Sequence, residues 1–471
     1  MNQRIPDQVR EALTPEDLNW WYGDQPRQHN TMAMLMLLDR PPDSEHLRAS
    51  AFRAVEAVPR LGQRIVDAPF DLALPRWETD PTFDLEFHLR RYSLHAGVTP
   101  ENELAELFHA IGPIYERPFD QTRPLWELIE IDRPEGRSAL FCRLHHSIAD
   151  GVGANAVLAA LTDAEREADF SPPPRDPVPG AWPEPSFGEV MGRALRDRLE
   201  DESGRARGFR RMIGDWLREP DRMMELMRGG AQLGSILENT SSAHMRTYGR
   251  ARRLGGLAVR FEPLLEARKR FGGSTVELLL TGIAGAMGEW HRSAGRGDAE
   301  TVLTTVPVNL RARDDQGFAS DVGNKLTALM LHLPIAERDV MRRFRMIREL
   351  VREQSESPAV DAFPLLSHLL AILPRQVHRA AVLASGSSMD LIVTNIPGIP
   401  VTRFIAASEI TAAYPIAPTV PHCPVSVALY GYRDSLFIGL DADGTAMPDL
   451  SDFSRMLERS FEELVDVADG E

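Results

Sequence analysis

Apolar positions along this chain repeat with two different periods. TMAMLMLLD (31–39) is almost continuously apolar over a strand's length, which predicts a buried strand. HLRASAFRAVEAV (46–58) and ELAELFHAIGPIYERP (103–118) space their apolar residues three and four apart, as one helix face does. LWELIEIDRPEGRSALFCRLHH predicts two strands joined by a turn at Pro134-Glu135-Gly136. The pattern then breaks. FSPPPRDPVPGAWPEPSFG (170–188) is a proline-rich connector, and Arg- and Met-rich helices are expected across 189–240. From Gly249 the mixture resumes, with a helix at 276–293 and strands at 301–311 (TVLTTVPVNLR) and 325–334 (KLTALMLHLP). PVSVALYGYRDSLFIGLDAD alternates like a hairpin turning at Arg433-Asp434. Strands and helices interleaved in two halves predict a two-lobed α/β fold with mixed sheets. The expected division is a first lobe over 1–168, a connector with helices over 169–248 and a second lobe over 249–471. No short internal repeat is visible.

Composition narrows the class. At 471 residues the chain is too long for one ordinary core, and 43% hydrophobic with 26% charged residues describes a globular protein. A net charge of −16 argues against a nucleic-acid partner, whose binding rests on neutralising phosphates. Two cysteines, Cys142 and Cys423, exclude a disulfide framework and make a reducing compartment the default. MNQRIPDQVREAL lacks the apolar stretch of a secretory signal, and no window reaches the roughly 18 apolar residues of a spanning helix. The expected location is the cytoplasm.

Candidate chemistry concentrates in LFCRLHHSIADGVGANAVL (140–158). If the strand continues to His146, alternate side chains face opposite sides. Leu140, Cys142, Leu144 and His146 then share one face, and Phe141, Arg143 and His145 the other. The adjacent histidines therefore cannot share a metal without distortion, and a set built on Cys142 and His146 would need His422 and Cys423 brought from far away. No metal is assigned. Along a strand Cys142 and His146 lie about 13 Å apart, too far for a nucleophile–base pair, which needs about 3 Å. Two readings stay open on the residues alone. In one, His146 on an apolar face stays neutral and serves as a general base toward a hydroxyl, with Asp150 bracing the turn. In the other it is a core histidine followed by an Asp N-cap to the helix GVGANAVLAAL.

HHSIADG matches the HHxxxDG motif of CoA-dependent acyltransferases and peptide-synthetase condensation domains. The surrounding text is more particular. RPLWELIEI (123–131) precedes GRSALFCRLHHSIADG, with RLGQRIVDAPFDLALPRWETDPTFDLEFHL upstream of both. VPVNLR, VGNKLTALMLHLP, TNIPGIP and YPIAPTVPHCPVSVALYGYRDSLFIGLDAD follow in order. Together these blocks resemble the bacterial wax ester synthase/acyl-CoA:diacylglycerol acyltransferase family over most of the chain.

The resemblance implies a chloramphenicol-acetyltransferase-like fold with an active-site channel between two lobes. It implies an O-acyltransferase moving a long-chain acyl group from acyl-CoA to diacylglycerol or a fatty alcohol, giving triacylglycerol or wax ester. Acyl-CoA is then a substrate, and no cofactor is expected. In the family the second histidine, here His146, is the catalytic base, and His145, Asp150 and Gly151 complete the motif. The motif aspartate of the superfamily is held by an arginine, for which Arg64 of RLGQR is preferred and Arg311 of PVNLR is the reserve. Thr394 and Asn395 of TNIPG and Asn324 of VGNKL are candidates to meet the oxyanion or the substrate; TNIPG also reads as a turn. The chain departs from the family where an Asn-Asp pair usually opens the helix matching VELLLTGIAGAM. Val276-Glu277 stands there instead, and an altered acceptor pocket is expected.

Two alternatives accompany this reading: a related CoA-dependent acyltransferase or condensation catalyst with another nucleophile, and a lipid-binding or droplet-coating protein impaired at Val276-Glu277. In FRRMIGDWL, Phe209, Met212, Ile213, Trp216 and Leu217 share a helical face with Arg210, Arg211 and Arg218 off it. That make-up fits a helix resting on the inner face of a membrane or on a lipid droplet, or one packed on the core. Arg246, Arg250, Arg252 and Arg253 are candidates for CoA phosphates or a solvated charged face.

Overall fold

The structure, a computed structural model, describes residues 10–25, 29–94, 99–170, 186–218, 242, 245, 249, 251–293, 295, 299–309, 326–385, 389–420 and 423–470. The chain begins with β1 (Arg10–Ala12), α1 (Pro15–Gly23), β2 (Thr31–Leu38), α2 (Ser44–Ala57), β3 (Gln63–Val66) and β4 (Arg76–Thr79). Next come α3 (Leu85–His88), β5 (Leu89–Ser93) and α4 (Glu103–Tyr115). The hairpin β6 (Trp126–Asp132) and β7 (Ser138–His145) leads into α5 (Gly151–Leu161) and the long α6 (Phe187–Arg218). After these come β8 (Arg252–Arg260), α7 (Phe261–Phe271), α8 (Thr275–Ser293), β9 (Thr301–Asn309) and β10 (Leu326–Pro334). Three helices follow, α9 (Val340–Ser355), α10 (Ala359–Ala371) and α11 (Arg375–Ser385). The chain closes with β11 (Leu391–Ile399), β12 (Phe404–Ile405), β13 (Ser408–Ile416), β14 (Val425–Tyr432), β15 (Ser435–Asp443) and α12 (Leu450–Gly470).

Two mixed sheets each centre a lobe. The first has the order β12-β13-β2-β7-β6-β5 and the second β10-β9-β11-β14-β15-β8. β2 is apolar without alternation because it lies between β13 and β7 with both faces covered. The hairpin of β14 and β15 turns at Arg433, whose φ of 55° supplies the left-handed step a tight turn needs. In α12, Leu450, Phe453, Leu457, Phe461 and Leu464 recur at three and four residues and bury into the second core, which α8 shares. α6 is fastened on the first lobe by charge: Asp197 pairs with Arg10 and Arg76, and Asp201 with Arg76.

The division into consecutive lobes needs one correction. β12 and β13, inside the expected second lobe of 249–471, complete the first sheet by pairing β13 with β2. Exchange of strands makes the two sheets share a seam, where Gly439 of β15 lies against the Pro415 carbonyl of β13 with no room for a Cβ. Across the same seam the Tyr115 hydroxyl donates to the Thr31 carbonyl (2.9 Å) and reaches Asp441 (3.3 Å), itself paired with Arg252 at 2.7 Å. That pairing also corrects the arginine cluster: Arg252 is engaged inside the protein and is not offered to CoA, while Arg246 and Arg250 lie outside the described residues.

Candidate active site

Between the sheets lies a cavity of about 400 Å³. The first lobe contributes Met32 and Met34 from β2, Cys142 and Leu144 from β7, and Val157 and Leu158 from α5. The second contributes Thr305 and Pro307 from β9, Met330 from β10, and Ile392 from β11. The pleat decides who faces it. Met34 pairs with Cys142 and Met32 with Leu144, so the strand face carrying Cys142 and Leu144 reaches the cavity. His146, one residue beyond β7, continues that face and also lines the cavity. The opposite face turns inward: Arg143 is fully buried and pairs with Glu127 at 2.8 Å. Cys142 is the small wall residue its spacing implied, and burial pushes its thiol up to about 12, far from a nucleophilic thiolate.

His146 is 8% exposed, with its backbone N–H donating to the Asn30 carbonyl at 2.7 Å. Its ring stacks on the indole of Trp20 with centroids 3.7 Å apart and planes 14° apart. Trp20 sits on α1, a helix capped by Thr14, whose hydroxyl accepts from the Asp17 N–H, and opened by Pro15. The spacing of Glu16, Asn19, Trp20 and Gly23 puts all four on the cavity side of that helix. Sequence reasoning missed this element. The cluster Trp20-Trp21-Tyr22 behind a Thr14-Pro15 start was the signal available.

His145 does not line the cavity. It is 1% exposed on the far face, and its Nδ1 accepts from the Ser147 N–H at 3.1 Å. Nδ1 also lies 2.7 Å from the Ser147 hydroxyl, and Nε2 faces the Asp24 carboxylate at 3.2 Å. Burial alone would raise the Asp24 carboxyl, but His145, His29 and the Asn30 N–H outweigh it and hold it well below the usual carboxylate range. Asn30 closes the loop by donating from Nδ2 to the Trp20 carbonyl at 2.7 Å. His145 positions the motif; it does not meet the cavity.

Asp150 accepts from the Gly153 N–H at 2.8 Å and caps α5, while Gly151 opens that helix at the cavity wall. The preferred partner Arg64 is a second correction. Its guanidinium donates to the Thr122 carbonyl at 3.5 Å, so the expected pair with Asp150 is not made. Arg60 holds the motif turn instead, donating to the carbonyls of Ser147 (3.0 Å) and Ile148 (3.2 Å) and pairing with the buried Asp17 at 2.8 Å. Arg60 lies in the 3-10 turn Pro59–Gly62 and Arg64 in β3, and of the two Arg60 reaches the motif carbonyls. Arg311, Asn324 and His422 lie outside the described residues.

Thr394 and Asn395 both line the cavity, on a strand and not a turn. The neighbouring Pro397 carbonyl accepts from Asn155 Nδ2 at 2.7 Å, tying α5 to β11 across the lobes. Thr305, which the sequence did not single out, is buried with its hydroxyl lacking a hydrogen-bond partner among the described residues. Val276 and Glu277 stand in the first turn of α8. Glu277 accepts from the Ser274 N–H (2.8 Å), and Ser274 Oγ accepts from the Glu277 N–H (3.2 Å), a reciprocal cap on α8. Neither residue is among those lining the cavity. The side chains of Phe209 to Leu217 and the Met residues beyond lie outside the described part, though α6 does run to Arg218. No described helix is long and apolar enough to cross a membrane.

Comparison with known proteins bears on the whole chain. Residues 13–277 match the wax ester synthase/diacylglycerol acyltransferase catalytic domain, and 322–465 the C-terminal domain of the same family. A Mycobacterium tuberculosis protein named as a diacylglycerol O-acyltransferase is 28% identical, covering 98% of this chain and 93% of its own. A second from that species is 25% identical over 97% and 96%. Among solved structures, the wax ester synthase/diacylglycerol acyltransferase from Marinobacter aquaeolei VT8 aligns with TM-score 0.64 at 16% identity, covering 97% and 99%. The first condensation domain of the CDA synthetase aligns with TM-score 0.59 at 18% identity, covering 98% and 96%. These two share the fold.

Proposed function

The chain belongs to the wax ester synthase/diacylglycerol acyltransferase family and is an acyl-CoA-dependent acyltransferase, and from that premise we propose that His146 is its general base toward an acceptor hydroxyl. One observation carries the proposal: His146 of the HHxxxDG motif stands in the wall of an apolar cavity between the lobes. A long-chain alcohol or diacylglycerol enters with its hydroxyl at the imidazole and its chains against Met32, Met34, Met330 and Ile392. Flexible methionine side chains suit chains of varied length.

The imidazole takes the hydroxyl proton as the oxygen attacks the thioester carbonyl carbon. The negative oxygen of the tetrahedral adduct meets donors on the β9–β11 side, for which Thr305, Thr394 and Asn395 are the candidates. The C–S bond then breaks, and the imidazolium returns its proton to the CoA thiolate. This route uses no acyl-enzyme, metal or cofactor. An acceptor insoluble in water places the working enzyme at a membrane or lipid-droplet surface facing the cytoplasm.

The test uses purified protein, labelled palmitoyl-CoA and a panel of alcohols, diacylglycerol and amines. Ester formation is expected, and His146→Ala is expected to abolish it with the circular dichroism spectrum unchanged. Turnover retained in that variant removes His146 from the role, and amide products would transfer the reading to another nucleophile.

A further inference from the structure

The stacking of Trp20 on His146 has a chemical consequence beyond packing. An indole face carries negative potential, so a cation lying over it within about 6 Å of the ring centroid is favoured over a neutral group of the same shape. The base in this site changes from neutral imidazole to imidazolium as it takes the acceptor's proton. At 3.7 Å between centroids and 14° between planes, the ring of His146 lies where that charge develops directly over the indole. We propose that Trp20 is a positioning residue of the acyl transfer: it fixes the plane of the His146 imidazole and stabilises the imidazolium formed in the reaction. This inference rests on the reading of His146 as the base.

The supports of Trp20 bear this out. The Trp20 carbonyl accepts from Asn30 Nδ2, and the Asn30 carbonyl accepts the backbone N–H of His146. The Asn30 N–H in turn donates to Asp24, which faces His145. The main chains of Trp20 and His146 are thus tied through Asn30, and the two rings they carry meet by stacking.

Several other titratable or charged groups stand on the elements around the imidazole. From α1 come Glu16, whose carboxyl burial raises, and Asp17, which is paired with Arg60. His368 of α10 lies 4.0 Å from Glu16. Asp24 and His145 stand behind the strand, and Asp150 and Arg60 stand at the motif turn. The described cavity residues of β9, β10 and β11 are uncharged. None of these charges moves when Trp20 is replaced by another uncharged side chain, so the indole's effect can be isolated.

The experiment compares the parent with Trp20→Phe, Trp20→Leu and His146→Ala, following labelled palmitoyl-CoA transfer against pH. A general base works only when unprotonated, so kcat/KM falls as pH drops through its pKa. Trp20→Leu is expected to move that acid limb down by roughly half a unit to one unit, the size of a cation–π contact expressed as a pKa change, and to lower kcat about tenfold with KM for acyl-CoA little changed. Trp20→Phe is expected to restore most of both. An acid limb in Trp20→Leu that matches the parent's, or that shifts upward because water has entered, reduces Trp20 to packing and overturns the inference. Active His146→Ala would instead overturn the underlying reading.

A second measurement needs no Trp20 variant. Protonated imidazole quenches a stacked indole, so the parent's emission is expected to fall through a pH step that is missing in His146→Gln. Identical emission profiles in the two proteins would sink the proposal as well.

Discussion

Asp24 and His145 meet at 3.2 Å, and through this contact the loop after α1 grips the strand end that presents His146. The two ring nitrogens of His145 face different partners, Nδ1 the Ser147 N–H and hydroxyl and Nε2 the Asp24 carboxylate. The first histidine of the motif is thus held inside the protein, and the second lines the cavity.

Asp24→Asn replaces a charged hydrogen bond with a neutral one and is expected to cost about 1.5–3 kcal/mol in denaturant unfolding at pH 7. The Asp24 carboxyl is depressed in the folded protein, so its contribution is fully present above the unfolded carboxyl range near 4 and is lost as pH falls through the folded value. Parent and variant should therefore differ at neutral pH and converge in strong acid. A constant gap at every pH would show that Asp24 contributes by shape alone.

Arg60 and Arg64 are four residues apart and give opposite forecasts. Arg60→Met takes the guanidinium from the buried Asp17 and from two motif carbonyls, and is expected to cost about 3–5 kcal/mol. Arg64→Ala touches a half-buried side chain with one long hydrogen bond and should stay within about 0.5 kcal/mol. Urea midpoints decide between them. Equal losses would mean that Arg64 also supports the motif.

Glu277 separates a cap from an acceptor pocket. Glu277→Ala is expected to lose about 1 kcal/mol of stability with the ratio of diacylglycerol to alcohol turnover unchanged, while Glu277→Gln keeps most of the cap. A changed acceptor ratio in Glu277→Ala would return the residue to the substrate path.

Thr305→Val tests the buried hydroxyl. Its Oγ1 lacks a protein partner among the described residues, so removal should leave the unliganded enzyme equally stable or up to about 1 kcal/mol more stable. If substrate supplies the partner, turnover falls about tenfold and Thr305→Ser restores it. Undiminished turnover in the valine variant would take Thr305 out of the site.

Much of this was legible before any coordinates. Strand parity alone put Cys142, Leu144 and His146 on one face and Arg143 and His145 on the other, and the cavity lies on the first of those faces. The apolar run of β2, the helix spacings of α2, α4 and α8 and the hairpin at Arg433 were fixed by local period and turn chemistry. The motif, its surrounding blocks and their order carried the family.

What the sequence could not supply were relations between residues far apart in the chain. It could not choose Arg60 over Arg64, because the choice depends on which side of a short turn faces Asp17, a geometric fact invisible to spacing. It did not assign β13 to the first lobe, because pairing with β2 joins residues more than 370 positions apart and leaves no local trace. It did not bring Trp20 to His146, since aromatic residues on a short helix look the same whether they fill a core or stack on a histidine in a cavity wall. Local pattern determined the elements and named the histidine. Only tertiary packing decided what surrounds it, because desolvation, stacking and ion pairing depend on distance in space and not along the chain.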